Sequence, residues 1–263
     1  MPVRKGLRHQ AWSADHPHRR VPDRRGFCEH DEDHPGQVNR QCREGETLPL
    51  LFQEVLMTAI TYYGHSCFRL EADNGWSAVF DPYEDYSVPG LKLPRTITAD
   101  EVFVSHPHED HNAAHLIQMN RRKLHSPYEE SALIVPHDDA NGTKRGMNQI
   151  RILENSSEKI VHFGDLGRML NIEEISRLHH ADVIMIPCGG YYTIDSRIAR
   201  AIIERVEPKL AILMHYRTDT SGYSMLENIA QLKETMPELI QTDQDEITLG
   251  SCSGIILMKA RQK

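Results

Sequence analysis

Ser105-His106-Pro107-His108-Glu109-Asp110-His111 follows the β-type run Glu101-Val102-Phe103-Val104, and the reading of the chain turns on this stretch. His106 and His108 stand two apart in a segment expected to be extended, so both rings can point the same way. Asp110 and His111 follow after one residue, at the expected start of a helix over 112–120. Four such side chains crowd a single ion but suit two neighbouring ones. A cation held by imidazoles and carboxylates with an open position lowers the pKa of bound water to ~7. Two ions ~3.5–4 Å apart can share a hydroxide and polarise a substrate oxygen.

Working outward, three more candidates recur in a similar setting. His137 follows Val135-Pro136, His215 ends Ile212-Leu213-Met214, and Asp165 comes two residues after the run ending in Phe163. Taken singly, His137 reads as a loop histidine, Asp165 as a turn-former after Gly164, and His215 as a core histidine. Taken in order, they read as ligands at the ends of neighbouring strands, where they can converge on one edge of a sheet.

The 263 residues are 39% hydrophobic and 26% charged, which suits a globular domain with a sizeable core. The net charge of −8 argues against a nucleic-acid partner, whose phosphates demand a basic face. Five cysteines (Cys28, Cys42, Cys67, Cys188, Cys252) are odd in number and form no C-x-x-C pair. That pattern points to a reducing compartment without a disulfide framework. No apolar run reaches the ~20 residues needed to cross a bilayer. No apolar segment follows the basic pairs Arg19-Arg20 and Arg24-Arg25, so a secretion signal is not expected. The expectation is a cytoplasmic protein with no membrane partner; a homo-oligomer is left open.

Composition changes near residue 57. Residues 1–56 carry nine basic and nine acidic residues, so the whole −8 falls on residues 57–263. The first segment is rich in Pro, His, Asp and Glu without a period of 2 or 3.6, and disorder is expected there. Cys28, His30, His34 and Cys42 match no standard zinc spacing. Gln53-Glu54-Val55 can be encoded by a purine-rich, ribosome-binding-like sequence ahead of Met57, so translation is expected to start at Met57; an ordinary disordered extension is the alternative.

In the body, strands are expected at 59–63, 67–72, 77–80, 102–104, 132–135, 149–153, 159–163, 183–186, 210–214, 246–249 and 254–258. Helices are expected at 112–120, 172–178, 195–206 and 224–235, with Asp73-Asn74-Gly75 as a hairpin turn. Strand after strand, then strands alternating with helices, fits two facing sheets with helices outside.

With these motifs in place, the chain resembles the metallo-β-lactamase superfamily, and within it small Zn-dependent hydrolases similar to L-ascorbate-6-phosphate lactonase. The matching pieces are Gly64-His65-Ser66-Cys67-Phe68, Asp81-Pro82-Tyr83, 105–112, His137-Asp138-Asp139 with Gly142 and Gly146-Met147-Asn148, 162–167, 186–195 and Met214-His215-Tyr216. The resemblance implies an α/β fold, a four-layer αββα sandwich, over 57–263. It also implies two divalent metal ions, Zn foremost with Mn or Fe tolerated. His106, His108 and His137 would hold one; Asp110, His111 and His215 the other; Asp165 would bridge. Asp81 would support the site, and Asp110 is the candidate to orient the nucleophilic hydroxide.

Lys144-Arg145 reads either as the holder of an anionic substrate group or as a solvated charged loop. His65 reads as a pocket residue or a buried structural histidine, and Tyr191, in Gly189-Gly190-Tyr191-Tyr192, as part of the pocket wall. The expected function is hydrolysis of an ester, lactone, amide or phosphodiester of a small molecule by a metal-bound hydroxide. The rivals are nucleic-acid cleavage, antibiotic hydrolysis and a non-catalytic metal-binding regulatory protein. The 50 positions from Asp165 to His215 leave no room for the inserted domain of the superfamily's processing nucleases, and no basic stripe with interleaved aromatics is present.

Overall fold

The structure, a computed structural model, describes residues 58–122 and 124–262. The expectations of a disordered extension, a start at Met57 and a reading of Cys28, His30, His34 and Cys42 lie outside the described residues.

The elements in chain order are β1 (Ala59–Gly64), β2 (Cys67–Glu71), β3 (Ser77–Phe80), β4 (Thr98–Ala99), β5 (Glu101–Phe103), a 3-10 turn (Ala114–Leu116), β6 (Gln118–Met119), β7 (Glu129–Pro136), β8 (Met147–Glu154), β9 (Lys159–His162), α1 (Ile172–Leu178), β10 (Val183–Pro187), α2 (Ser196–Val206), β11 (Leu210–Met214), α3 (Ile229–Thr235), β12 (Ile240–Gln241), β13 (Glu246–Thr248) and β14 (Gly254–Leu257). They form a five-stranded sheet ordered β13-β1-β2-β3-β5 and a seven-stranded sheet ordered β12-β14-β11-β10-β9-β8-β7, with β4 and β6 paired apart. One continuous core takes in Ile60, Phe68 and Phe80 from the first sheet and Ile150, Val161 and Ile184 from the second. The α/β sandwich expected from the sequence is therefore the fold.

Local sequence explains the joints. Gly75 (φ 80) supplies the left-handed residue of the β2–β3 turn, where Gly75 N–H donates to Ala72 O at 2.9 Å. β10 (VIMIP) and β11 (LAILM) are buried at every position, as parallel strands covered on both faces must be. Asn171 and Asn228 start α1 and α3 with reciprocal capping boxes to Glu174 and Gln231.

Two expected helices are shorter than the sequence suggests. Over 112–120 the helical part shrinks to the 3-10 turn and β6 follows it, because tertiary carbonyls take the backbone amides. Ala113 N–H donates to Pro82 O, Gln118 N–H to Ile97 O and Asn120 N–H to Ala99 O. The outer face of the five-stranded sheet is accordingly covered by an irregular layer including Tyr83, Val88, Leu91, Leu93 and Ile117. Over 224–235 the helix begins only at Ile229, because Glu227 N–H is spent on Gly189 O and Glu227 O accepts from Arg217 N–H. A turn closed by Leu226 N–H donating to Tyr223 O at 3.1 Å replaces the first part of the expected helix, and residue 223 at its start faces the site described below.

Strand direction places that site. β1, β3 and β5 run the same way in one sheet, and β7, β9, β10 and β11 do so in the other. Their carboxyl ends carry His65, Asp81 and 105–111 from the first sheet, and His137, Asp165 and His215 from the second. This edge depends on a tightly filled centre. Ile212, fully buried in β11, is expected on truncation to alanine to cost about 2–5 kcal/mol, read as a lowered midpoint in urea unfolding.

Candidate metal centre

The dense stretch after β5 is bent and turned rather than extended and helical. The turn is closed by His111 N–H donating to His108 O at 2.9 Å. The rings gather edge-on or tilted: His106 lies 4.6 Å from His108, 4.5 Å from His137 and 4.3 Å from His111, centroid to centroid. The ligating atoms of His106, His108 and His137 lie within 4.8 Å of one another. So do those of His65, Asp110, His111 and His215, and those of His106, His111 and Asp165. Asp165 sits between the first two groups: its Oδ2 is 3.4 Å from His137 Nε2, 3.2 Å from His215 Nε2 and 4.0 Å from His106 Nε2, while Oδ1 is 3.3 Å from His111 Nε2.

All seven ligand candidates from the sequence thus meet in one place. Their donor atoms suit cations: His106 Nε2, His111 Nε2, His215 Nε2 and Asp165 Oδ1 are buried and without a hydrogen-bond partner. Buried polar atoms are rarely left so, and a shared cation is a chemistry that satisfies imidazole nitrogens and a carboxylate together.

A supporting shell fixes which nitrogen faces inward. The buried Asp81 carboxylate accepts from Ser105 N–H (2.7 Å), Ser105 Oγ (2.6 Å) and His111 Nδ1 (2.8 Å). With its proton given to Asp81, the Ser105 hydroxyl accepts from His106 Nδ1 at 2.9 Å. Both rings therefore place their Nδ1 proton in this shell and turn Nε2 to the centre, where a cation would take the lone pair. In the protein alone, burial acts to lower the His111 pKa, but Asp165 and Asp81 outweigh it and hold that imidazole well up. Asp165 is held by its backbone, its N–H donating to Asn148 Oδ1 at 2.9 Å. Gly164 (φ 52) is needed in that turn: a Cβ there would lie 2.2 Å from Asn148 Oδ1 and 2.5 Å from Ser105 Cβ.

Electrostatics follow the packing. Burial, with His111 adding to it, pushes the His106 imidazole down to about 3, and burial with His215 takes His65 to about 4. Both rings are neutral near pH 7. Burial alone would raise the Asp165 carboxyl, yet His111 and His215 hold it well below the usual carboxylate range. For Asp110, burial is outweighed in the same way by His65 and His111, so it too stays ionised.

His65 is neither a plain pocket residue nor a plain core histidine. It sits at φ 55 between β1 and β2. Its Nε2 lies 3.2 Å from Asp110 Oδ2, and since a carboxylate only accepts, Nε2 carries the proton and serves as donor. Its carbonyl accepts the His215 N–H at 3.0 Å, and its ring lies 4.0 Å from that of His215. One strained residue thus aims two ligand candidates.

An open cavity of about 340 Å³ faces the group, lined by His108, Asp110, His137, Arg145, Asp165, Tyr192 and Tyr223. Asp138, next to His137, gathers the backbone N–H groups of Ala140, Gly142, Lys144 and Arg145 at 2.7–2.9 Å. Although burial acts to raise it, these amides bring its pKa down to about 2. The loop so wound directs Arg145 inward, its guanidinium 5.2 Å from the centre of the Tyr192 ring. Lys144 instead turns out to Asp139 at 2.7 Å. Tyr191 is 65% exposed, and its neighbour Tyr192 is the residue lining the cavity. Tyr223 was not legible in the sequence: its hydroxyl lies 2.8 Å from Ser87 O and 3.3 Å from Asp110 Oδ2, brought there by the late start of α3.

Comparison with known proteins identifies the family and the fold. A family profile described as a beta-lactamase superfamily domain matches residues 59–215, more than half of the chain. A UPF0173 metal-dependent hydrolase of Archaeoglobus fulgidus is 27% identical over 194 residues, covering 60% of this chain and 83% of its own. One from Staphylothermus marinus is 25% identical over 214 residues, covering 68% and 92%. Among solved structures, a Thermotoga maritima protein provisionally described as a Zn-dependent hydrolase of the metallo-β-lactamase superfamily superposes with a TM-score of 0.61 at 26% identity, over 78% of this chain and 100% of that one. A metallo hydrolase from Ignicoccus hospitalis shares the fold (TM-score 0.53, 19% identity, 78% and 96% covered).

Removing the grip of His65 tests the supporting shell. His65→Ala is expected to weaken cation retention at the centre roughly 10- to 100-fold, measured by elemental analysis after dialysis against graded chelator, with the fold retained by circular dichroism.

Proposed function

The chain is a metal-dependent hydrolase belonging to the metallo-β-lactamase superfamily, and on that footing we propose that it cleaves a small, anionic ester, lactone, amide or phosphodiester at a pair of divalent cations, Zn foremost. The reading rests chiefly on the cluster of orphaned, buried imidazole and carboxylate atoms around Asp165 beside a solvent-open cavity. His106, His108 and His137 would hold one cation, Asp110, His111 and His215 the other, with Asp165 shared. The imidazole-rich donor set favours Zn over harder cations. Cations so held lower the pKa of a bound water to ~7 and polarise the substrate's oxygen.

The chain's own residues divide the remaining work. Asp110, ionised and tied through Oδ2 to His65 and Tyr223, orients the attacking water. The Tyr223 phenol, its pKa pushed up by burial and by Asp110, stays protonated on the cavity wall. Turned from Ser87 O, its single proton would be donated to the oxygen that gains charge as the bond breaks. Arg145 meets an anionic group of the substrate while the ring of Tyr192 supports its guanidinium. A cavity of this size with one lining arginine suits a small molecule, and the negative body weighs against a polyanion. Of the bonds named, a lactone is the one favoured by the sequence resemblance. No described helix is long and apolar enough to cross a membrane. The free thiols of Cys67, Cys188 and Cys252 fit the reducing, cytoplasmic setting we assign.

Two measurements test this. Elemental analysis of purified protein, followed by a panel of lactones, thioesters and phosphodiesters, is expected to show two bound cations and turnover that falls by several orders of magnitude in His108→Ala. Wild-type rates in that variant on every substrate turned over refute the mechanism. Arg145→Met is expected to lower kcat/KM for anionic substrates roughly 10- to 100-fold, mostly through KM, while neutral analogues are unaffected.

A further inference from the structure

A second group of metal-type side chains stands at the other end of the seven-stranded sheet. His179 closes α1, His180 follows it, and Glu207 caps α2; all three precede the amino ends of β10 and β11, whereas the hydrolytic centre lies beyond the carboxyl ends. Their ligating atoms lie within 4.8 Å of one another. His179 Nε2 is 3.7 Å and His180 Nδ1 is 4.0 Å from the same atom, Glu207 Oε2. Neither separation is a hydrogen bond. The two rings meet edge to face with centroids 3.9 Å apart. The neighbouring ammonium of Lys209 does not compete for the glutamate, being bonded to Asp182 at 2.6 Å.

The frame beneath these side chains is fixed by main-chain bonds between the two connections. His180 N–H donates to Val206 O (2.8 Å), Lys209 N–H to Ala181 O (3.0 Å) and Leu210 N–H to Asp182 O (3.1 Å). His180 (φ 56) and Glu207 (φ 52) both occupy the left-handed region, which is costly for residues other than glycine. The backbone therefore sets the three side chains side by side and does not depend on their mutual attraction, which at exposed positions contributes little.

The geometry points to an auxiliary surface site in which His179, His180 and Glu207 take one borderline divalent cation, such as Zn, Ni or Cu, and staple the α1–β10 connection to the α2–β11 connection. Two imidazoles and a carboxylate form a donor set for such cations and a poor one for Mg or Ca, which require oxygen ligands. Ligands bound at ~2.0–2.1 Å in tetrahedral geometry stand roughly 3.3 Å apart. The 3.7 and 4.0 Å separations are within the reach of small rotations of exposed side chains. The remaining positions go to water, so this site fills after the buried centre. A cation that binds only the folded frame stabilises it.

The test is a calorimetric titration of Zn²⁺ into full-length protein already saturated at the hydrolytic centre, with wild type set against His179→Ala and His180→Asn. Asparagine tolerates the left-handed backbone and so preserves the frame. Both substitutions lie outside the hydrolytic machinery, and the five histidines of residues 1–56 are common to all three proteins, so the difference between them isolates this site. Wild type is expected to take up one further equivalent and to melt higher with added Zn²⁺, and both variants to lose that equivalent and that shift at unchanged hydrolytic turnover. Equal stoichiometry and equal shifts in all three proteins overturn the proposal.

Discussion

Burying several imidazoles with two carboxylates, Asp165 and Asp81, is the constraint on which this structure depends. His65, His106, His111, His137, His162 and His215 are all nearly excluded from solvent, as are both acids. Groups of that kind are costly to desolvate unless each finds a charge or hydrogen-bond partner. Asp81 meets the demand within the protein, through Ser105 and His111. Asp165 is ringed by four imidazole nitrogens, several without partners, and such a ring is suited to cations. The two acids thus have opposite duties: one aims the ligands, the other joins the two halves of the ligand set.

Strand direction makes that division workable. Parallel alignment of β7, β9, β10 and β11 in one sheet, and of β1, β3 and β5 in the other, brings residues far apart in sequence to one edge. The edge is strained: His65, Asp81 and His215 all adopt positive φ. A buried core beneath them supplies the rigidity that sustains such conformations. Loops complete the cavity wall around the ligands. The turn wound around the Asp138 carboxylate, which presents Arg145, is one; the segment ahead of α3, which presents Tyr223, is another.

Much of this was legible in the sequence because hydrophobic runs and ligand-type residues are local signals. The helix over 172–178, the Asp73-Asn74-Gly75 turn and the apolar runs of β10 and β11 each appear in a few adjacent residues. The regions at 112–120 and 224–228 were less legible because carbonyls distant in sequence claim their amides. Lys144 and Arg145 illustrate the same limit. As neighbours they read alike, yet Asp139 draws one away while the Asp138 turn directs the other into the cavity.

The sequence by itself determined that ligand-type residues end strand after strand, and with that the sandwich and the family, because alternation of apolar runs and placement of His and Asp are properties of single segments. Only the tertiary structure decided which nitrogen of the His106 and His111 rings faces inward, that His65 ties Asp110 to His215, and that Tyr192 and Tyr223 line the cavity. The physical reason is that hydrogen-bond direction and side-chain aim are set by partners tens of residues away, brought close only when the two sheets pack.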